Sequence, residues 1–260
     1  MSRSDEIIRI VSDYKKIEVT QLSQLLEVSN VTIRKDLDKL EEKGIINRQH
    51  GFALINNTDD INFRLAKNYN LKRKIAIKAA ENILDGDTVM IESGSTCALL
   101  AEELAFNRKN VTIITNSVFI ANYIRKSDSV KVILLGGEYQ NNSQVNVGPL
   151  IKKVVDEFYV DKLFIGIDGF DPIRGFRSND LARSEAIHVM AAAAKEVIIL
   201  TDASKFKQNG TVTCFSFPEI SQVFTDKAIS KETEAILENQ NIKVTTIGSV
   251  AKFSDKSILV

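Results

Sequence analysis

The chain has 260 residues, 44 % of them hydrophobic, and its 34 Lys and Arg balance 34 Asp and Glu. That length has room for two domains and a sizeable core, and zero net charge excludes nucleic-acid binding by bulk charge alone. Two cysteines without a CxxC or Cys/His spacing, Cys97 and Cys214, exclude structural zinc and point to a reducing compartment. The sequence has no apolar run near twenty residues and no signal peptide. It therefore reads as a cytoplasmic, soluble protein with no membrane partner.

Residues 17–55 predict two short helices, a tight turn and a β-wing. Thr20 is placed as an N-cap, and Leu22, Leu25 and Leu26 give the first helix an apolar face. Ser29 and Asn30 break the pattern and cap a second helix, in which Ile33, Leu37 and Leu40 recur at i, i+4 and i+7 as one buried stripe. Its other faces carry Asn30, Thr32, Arg34 and Lys35 at the N-terminal end, where a recognition helix meets base edges. Gly44 sits where a helix C-terminus favours positive φ. After it, Ile45-Ile46 pairs with residues 52–55 around Arg48-Gln49-His50-Gly51. The expected partner is double-stranded operator DNA, met by Ser29, Asn30, Thr32, Arg34, Lys35, Arg48 and His50. Residues 1–55 hold nine Lys/Arg and nine Asp/Glu, with Asp36, Asp38, Glu41 and Glu42 late in the second helix. Such a neutral domain binds weakly alone, so a homodimer or tetramer held mainly by the rest of the chain is expected.

Residues 57–72 read as a linker between domains at 1–56 and 73–260: they are polar and lack a sustained period, with Phe63 and Leu65 docking on a neighbouring surface. Ile75, Ala76, Ala79, Ile83 and Leu84 then mark a helix ending at Asp85-Gly86. Strand and helix patterns alternate from there: strands at 88–92, 111–115, 130–135, 162–168, 196–201, 222–226 and 243–247, and helices at 96–106, 117–126, 149–158, 182–194 and 231–239. This is the pattern of an α/β domain with a doubly wound, largely parallel sheet covered on both faces.

In such folds ligands collect at the C-terminal ends of the strands. The first strand ends in Glu92-Ser93-Gly94-Ser95-Thr96 and runs straight into a helix, an arrangement that offers free N–H groups and hydroxyls to an anion. The next ends carry Asn116, then Gly136-Gly137, then Asp168, then Asp202-Ala203-Ser204-Lys205. Taken singly, each motif also reads as an ordinary turn or a local cap. Together at five strand ends they supply phosphate donors, carboxylates and a lysine, the inventory for a phosphorylated sugar or polyol. GxGxxG is missing, so no dinucleotide cofactor is expected; nor is any other cofactor or metal.

The segment TIRKDLDKLEEKGIINRQHG resembles the N-terminal motif of the DeoR family of bacterial transcriptional regulators, which reads close to TIRRDLxxLExxGxxxRxHGG. One departure is visible, Phe52 in place of the second wing glycine. DGDTVMIESGST, TIITNS, LLGGEY, DKLFIGIDGF and LTDASKF look like successive motifs of the DeoR sensor domain. The resemblance implies a repressor of sugar or polyol catabolic genes controlled by a phosphorylated metabolite. On that analogy Gly94, Ser95 and Thr96 hold phosphate, and Asn116, Asp168, Glu185 and Lys205 meet the rest of the ligand. The domain is also similar to ribose-5-phosphate isomerase, which carries DGADE, KGGGAALTREK and DASK motifs. Asp168, Asp171, Glu185 and Asp202-Ala203-Ser204-Lys205 match, but the lysine and glycines become Arg177-Ser178-Asn179-Asp180. The alternative, an isomerase-like enzyme with an accessory DNA-binding domain, is disfavoured by that loss, since a catalytic lysine must stabilise an enediolate oxyanion.

Overall fold

The computed structural model describes residues 3–14, 16–42, 46–55 and 59–248. The N-terminal unit consists of α1 (Arg3–Tyr14), β1 (Lys16–Glu18), α2 (Val19–Leu25), α3 (Asn30–Glu42), β2 (Ile46–Gln49) and β3 (Phe52–Ile55), with the strands in the order β1-β3-β2. Glu18, not Thr20, occupies the N-cap of α2, and the Thr20 hydroxyl donates to the Glu18 carboxylate at 3.1 Å. Leu22 is buried but Leu25 is exposed, because a seven-residue helix offers the core only a narrow face. Ser29 caps α3, accepting from the Thr32 N–H at 3.2 Å. Ile33, Leu37 and Leu40 form the expected stripe, packed with Ile7, Ile8 and Val11 of α1 and Ile17 of β1. Gly44 and Ile45 lie outside the described residues.

Gln49 pairs with Phe52, which leaves a two-residue wing tip of His50 (φ 49°) and Gly51 (φ 84°). Two successive positive φ values make the primed turn that suits the right-handed twist of a hairpin. Phe52 therefore lies in β3 and not in the tip, and its ring packs under the Lys16 ammonium, 4.3 Å from the centroid. The departure from the double glycine thus leaves the turn geometry intact.

Within the expected linker, residues 61–66 form a helix, α4 (Ile61–Ala66). The Asp60 carboxylate caps it, accepting from the N–H groups of Asn62 (2.8 Å) and Phe63 (3.3 Å). Six residues are too few to show a period, and this helix buries more than one side. Phe63 and Ala66 belong to the core of the N-terminal unit, whereas Ile61 and Leu65 belong to the core of the next domain. The segment is a buried joint.

The second domain runs through α5 (Tyr69–Ala80), β4 (Thr88–Ile91), α6 (Ser95–Asn107), β5 (Val111–Thr115), α7 (Val118–Tyr123) and β6 (Val130–Leu134). A hairpin follows, β7 (Glu138–Gln140) and β8 (Val145–Val147), then α8 (Leu150–Val155), β9 (Val160–Ile165), β10 (Gly169–Asp171), β11 (Gly175–Ser178) and α9 (Leu181–Ala192). The described residues end with β12 (Ala194–Leu200), β13 (Val212–Phe215), β14 (Gln222–Asp226), α10 (Lys231–Asn239) and β15 (Lys243–Ile247). Helix α5 ends sooner than expected, so Ile83 is buried beyond it while Leu84 is exposed.

Seven of these strands form one parallel sheet in the order β15-β14-β12-β9-β4-β5-β6. Alternate residues feed two cores: Val89, Ile91 and Phe164 on one face, Met90, Leu163 and Ile165 on the other. This is the doubly wound architecture expected. The chain progresses outward from β4 in one direction and then returns to build outward from β9 in the other. The topological switch point therefore lies between β4 and β9. The β7–β8 hairpin and the small antiparallel sheet β10-β11-β13 are additions to this frame.

Candidate functional site

A cavity of about 560 Å³ opens at the switch point, a size suited to a small molecule. Three strand ends supply its floor: Glu92 and Gly94–Thr96 after β4, Gly166–Asp168 after β9, and Thr201, Asp202, Ser204 and Lys205 after β12. Gly94 and Gly166 face each other so closely that a Cβ on Gly94 would lie 3.2 Å from the Gly166 Cα. Glu92 fastens the two ends together, its Oε2 accepting from the N–H groups of Gly94 (3.0 Å) and Gly166 (3.3 Å) and its Oε1 from the Ser93 hydroxyl. Beside them the first turn of α6 presents N–H groups without intrahelical partners, together with Ser95 and the buried Thr96.

The joint and the helices around it supply the walls, with three groups that sequence reasoning missed. Arg64 of α4, Lys72 of α5 and Arg183 of α9 all line the cavity. Lys72 is buried, donating to Ser95 Oγ at 3.0 Å and to the Arg64 carbonyl oxygen. Burial pulls its pKa down to about 7, against the opposing pull of Asp202. Burial also lowers Arg64, and its Nε and one terminal nitrogen have no hydrogen-bond partner among the described residues. Arg183 likewise suffers from burial, but Asp59, Asp168, Asp180 and Glu92 more than offset this and its pKa is raised. Lys205 also lines the cavity, its pKa lowered by burial and its ammonium 3.3 Å from Gln208 Oε1.

The carboxylates in the cavity wall are already engaged by protein donors. Asp168 accepts from the Asn179 N–H at 3.0 Å, Asp180 caps α9 through the Arg183 N–H at 2.8 Å, and Asp202 accepts from the N–H and hydroxyl of Ser204. The donors left over among the described residues are Nε and one terminal nitrogen of Arg64 and Nε of Arg183.

Four of the expected ligand residues are not brought to this cavity. Asn116 is turned onto the β7–β8 hairpin, donating from Nδ2 to the Asn146 carbonyl at 3.1 Å. Asn146 in turn donates to the backbone oxygens of Asn116 and Leu135, both at 2.8 Å, so the hairpin covers the ends of β5 and β6 where a ligand was expected. Gly137 serves that hairpin, since a side chain there would run into the Val147 carbonyl oxygen, and Gly136 stands beside it in open space. Glu185 is exposed on α9, two residues and about 200° around the helix from Arg183. Two isomerase-like positions are also elsewhere: Asp171 caps a turn through the N–H groups of Ile173 and Arg174 (2.9 and 2.8 Å), and the Arg177 guanidinium bonds Thr213 Oγ1 at 2.6 Å and the Gly210 carbonyl at 3.1 Å.

On the N-terminal unit, Ser29, Asn30, Arg34 and Lys35 are exposed along α3, Thr32 is half-buried, and His50 is exposed on the wing tip. Arg48 is placed otherwise than expected. Its Nη2 pairs with Asp38 at 2.5 Å, its Nε with Glu41 at 2.8 Å, and its own N–H donates to Glu41 at 2.9 Å. It thus ties wing to helix, and the same bonds lower the Glu41 pKa and raise that of Arg48.

Residues 3–59 match the family model of the DeoR-like helix-turn-helix domain, and residues 67–227 that of the DeoR C terminal sensor domain. The chain belongs to the DeoR family. It is similar to the HTH-type transcriptional regulator GolR of Listeria innocua, at 30 % identity over 88 % of this chain and 91 % of that protein. It is also similar to the glycerol-3-phosphate regulon repressor of Escherichia coli, at 28 % identity over 93 % and 97 %. Among solved structures, ribose 5-phosphate isomerase A of Methanocaldococcus jannaschii covers 54 % of this chain with 55 % of its own, at 22 % identity and a TM-score of 0.39. The DeoR assignment makes the chain a DNA-binding transcriptional regulator.

In this DeoR winged helix the engagement of Arg48 gives an expectation that separates it from Arg34. Arg34→Ala should lower the salt slope of DNA binding by about one, as loss of a phosphate contact does. Arg48→Ala should weaken binding to every sequence with the slope unchanged, because its charge is already matched by Asp38 and Glu41, and Glu41→Ala should cause a similar loss. Anisotropy titrations over a salt series measure both. A slope reduced by Arg48→Ala, with Glu41→Ala silent, would instead make Arg48 a phosphate contact.

Proposed function

We propose that the chain is a cytoplasmic repressor of a sugar or polyol catabolic operon, controlled by a phosphorylated sugar or polyol in the switch-point cavity. The observation that carries this reading is Arg64, a cation whose buried Nε and terminal nitrogen have no hydrogen-bond partner among the described residues. Leaving such donors buried and unpaired is costly, and a phosphate satisfies them in the fork geometry that guanidinium groups favour. The N-terminus of α6, with Ser95, Thr96 and Lys72 beside it, offers the phosphate its remaining partners. Asp168 and Asp202 are close enough to the same cavity to meet sugar hydroxyls. The names of relatives, such as the glycerol-3-phosphate regulon repressor, agree with an effector of this class.

In this reading the chain is a regulator and not an enzyme. The match to the isomerase's catalytic glutamate, Glu185, is exposed away from the cavity, and Arg177, beside the lost lysine, is spent on backbone and hydroxyl partners. A homodimer or larger assembly belongs to the same reading, because the electrically balanced DNA-binding unit gains useful affinity by binding two half-sites.

A thermal-shift screen of the full-length chain against phosphorylated sugars and polyols, each beside its unphosphorylated parent, tests the proposal. The cognate phosphate ester at a hundred times its Kd should stabilise by about 2.7 kcal/mol and its parent by far less. It should also change affinity for an operator selected from random duplexes. Equal shifts from esters and parents would contradict a phosphate-reading cavity.

A further inference from the structure

The joint touches both the cavity and the winged helix. Asp59 directly precedes the cap of α4, and its carboxylate accepts from both terminal nitrogens of Arg183, at 3.2, 3.2 and 3.3 Å. Ser143, in the β7–β8 loop, donates its hydroxyl to Asp59 at 3.1 Å and accepts from Arg183 Nη1 at 2.8 Å. The Ile61 N–H donates to the Asn142 carbonyl at 3.1 Å. The start of α4 is therefore fastened to the sensor by an ion pair, a hydroxyl and one backbone bond. Two to five residues further on, Phe63 and Ala66 sit in the core of the winged helix. A shift of the one must move the other.

Arg183 faces two ways. Its side chain is only 8 % accessible, it lines the cavity, and its Nε has no hydrogen-bond partner among the described residues, with Asp180 at 3.8 Å. Asp59 lines the same cavity but its side chain is 45 % accessible. A carboxylate and a phosphate are both bidentate acceptors for a guanidinium, so they compete for its fork. Of the two present partners, the half-exposed carboxylate can leave for water at small cost, whereas the buried guanidinium cannot.

Resting on the reading that the cavity takes an anion, we infer that Asp59 is that anion's internal competitor for Arg183, and that their ion pair is the latch through which cavity occupancy repositions the winged helix. A ligand shifts a conformational equilibrium only through differential affinity for its two states. The latch supplies that difference, because the full fork of Arg183 is offered only when Asp59 has been released. By linkage, a DNA that favours the latched arrangement weakens the anion's binding by the same factor.

The test uses the full-length chain with inorganic phosphate as probe. Asp59→Asn keeps the shape and removes the charge; it should bind phosphate about tenfold more tightly than wild type, because the competitor that masked Arg183 is gone. Spin labels at the exposed positions Gln21 and Glu157, introduced as Gln21→Cys and Glu157→Cys, report the distance between domains; the native Cys97 and Cys214 are buried. Without phosphate, Asp59→Asn should show the distance that wild type adopts only with phosphate, and Asp59→Glu should restore wild-type behaviour in both measurements. Tighter phosphate with an unchanged distance would mean that Asp59 acts through its charge alone, and this would overturn the latch. Equal phosphate affinity in wild type and Asp59→Asn would also overturn it while leaving the cavity reading intact. Absence of phosphate binding to wild type would overturn both.

Discussion

Replacing Arg64 with methionine should weaken binding of the phosphorylated effector by about 30-fold or more, the consequence of removing one partner of a buried charge pair at about 2–5 kcal/mol. The same substitution should make the ligand-free chain more stable, since it removes buried donors that have no hydrogen-bond partner among the described residues. Opposite signs in the two measurements are the signature of a group held ready for a ligand. Arg64→Lys keeps a charge but not the fork, so it should recover only part of the affinity. Thr96→Val, at the opening of α6, should lose less, on the order of 1–3 kcal/mol for one unpaired phosphate oxygen. Calorimetric titration of the three variants with the cognate ester decides the matter. Wild-type affinity in Arg64→Met would put the anion elsewhere.

Effector affinity should also fall as pH rises above 7. Burial draws Lys72 down to about 7; Asp202 opposes this, while Lys205, Arg64 and Lys67 add to it. A phosphate ester, whose second ionisation lies near pH 6, is already a dianion there, and it favours the charged lysine. Binding therefore raises the Lys72 pKa and takes up a proton, and affinity drops by up to about tenfold per pH unit until the pKa of the bound state is passed. The sign for folding is the reverse. The folded pKa lies below the unfolded value of about 10.4, so the cost of charging Lys72 is fully present below pH 7. Between pH 7 and 10 the unfolded chain holds more protons, and the stability of the ligand-free chain should rise with pH relative to Lys72→Met. Calorimetry at pH 8 in buffers of different ionisation enthalpy counts the proton directly. A count of zero in wild type would remove Lys72 from the phosphate site.

The parallel sheet was legible because each strand is a short apolar run and each helix between them an amphipathic one. The stripe of Ile33, Leu37 and Leu40 was legible for the same reason. The β7–β8 hairpin was not, because three-residue strands carry too little pattern, and its position over β5 and β6 is a tertiary fact. That one omission explains why Asn116, Gly136 and Gly137 were assigned to the ligand. Gly94, Thr96, Asp168 and Lys205, read from the strand ends, do line the cavity. Arg64, Lys72 and Arg183 lie on helices and reach the cavity only through packing, so no local signal distinguishes them from surface cations. The pairing of Arg48 was illegible for a related reason: Asp38 and Glu41 come beside it only when the wing packs on α3.

The division of α4 between two cores limits how freely this sensor can be exchanged among regulators. A cut on the N-terminal side of the helix takes Phe63 and Ala66 away from the winged helix, and a cut on the other side takes Ile61 and Leu65 away from the sensor. Neither half keeps a complete interior. A hybrid that joins this effector cavity to a foreign reading head must therefore carry α4 with the sensor and recut the recipient's hydrophobic face to receive an aromatic ring and a methyl group.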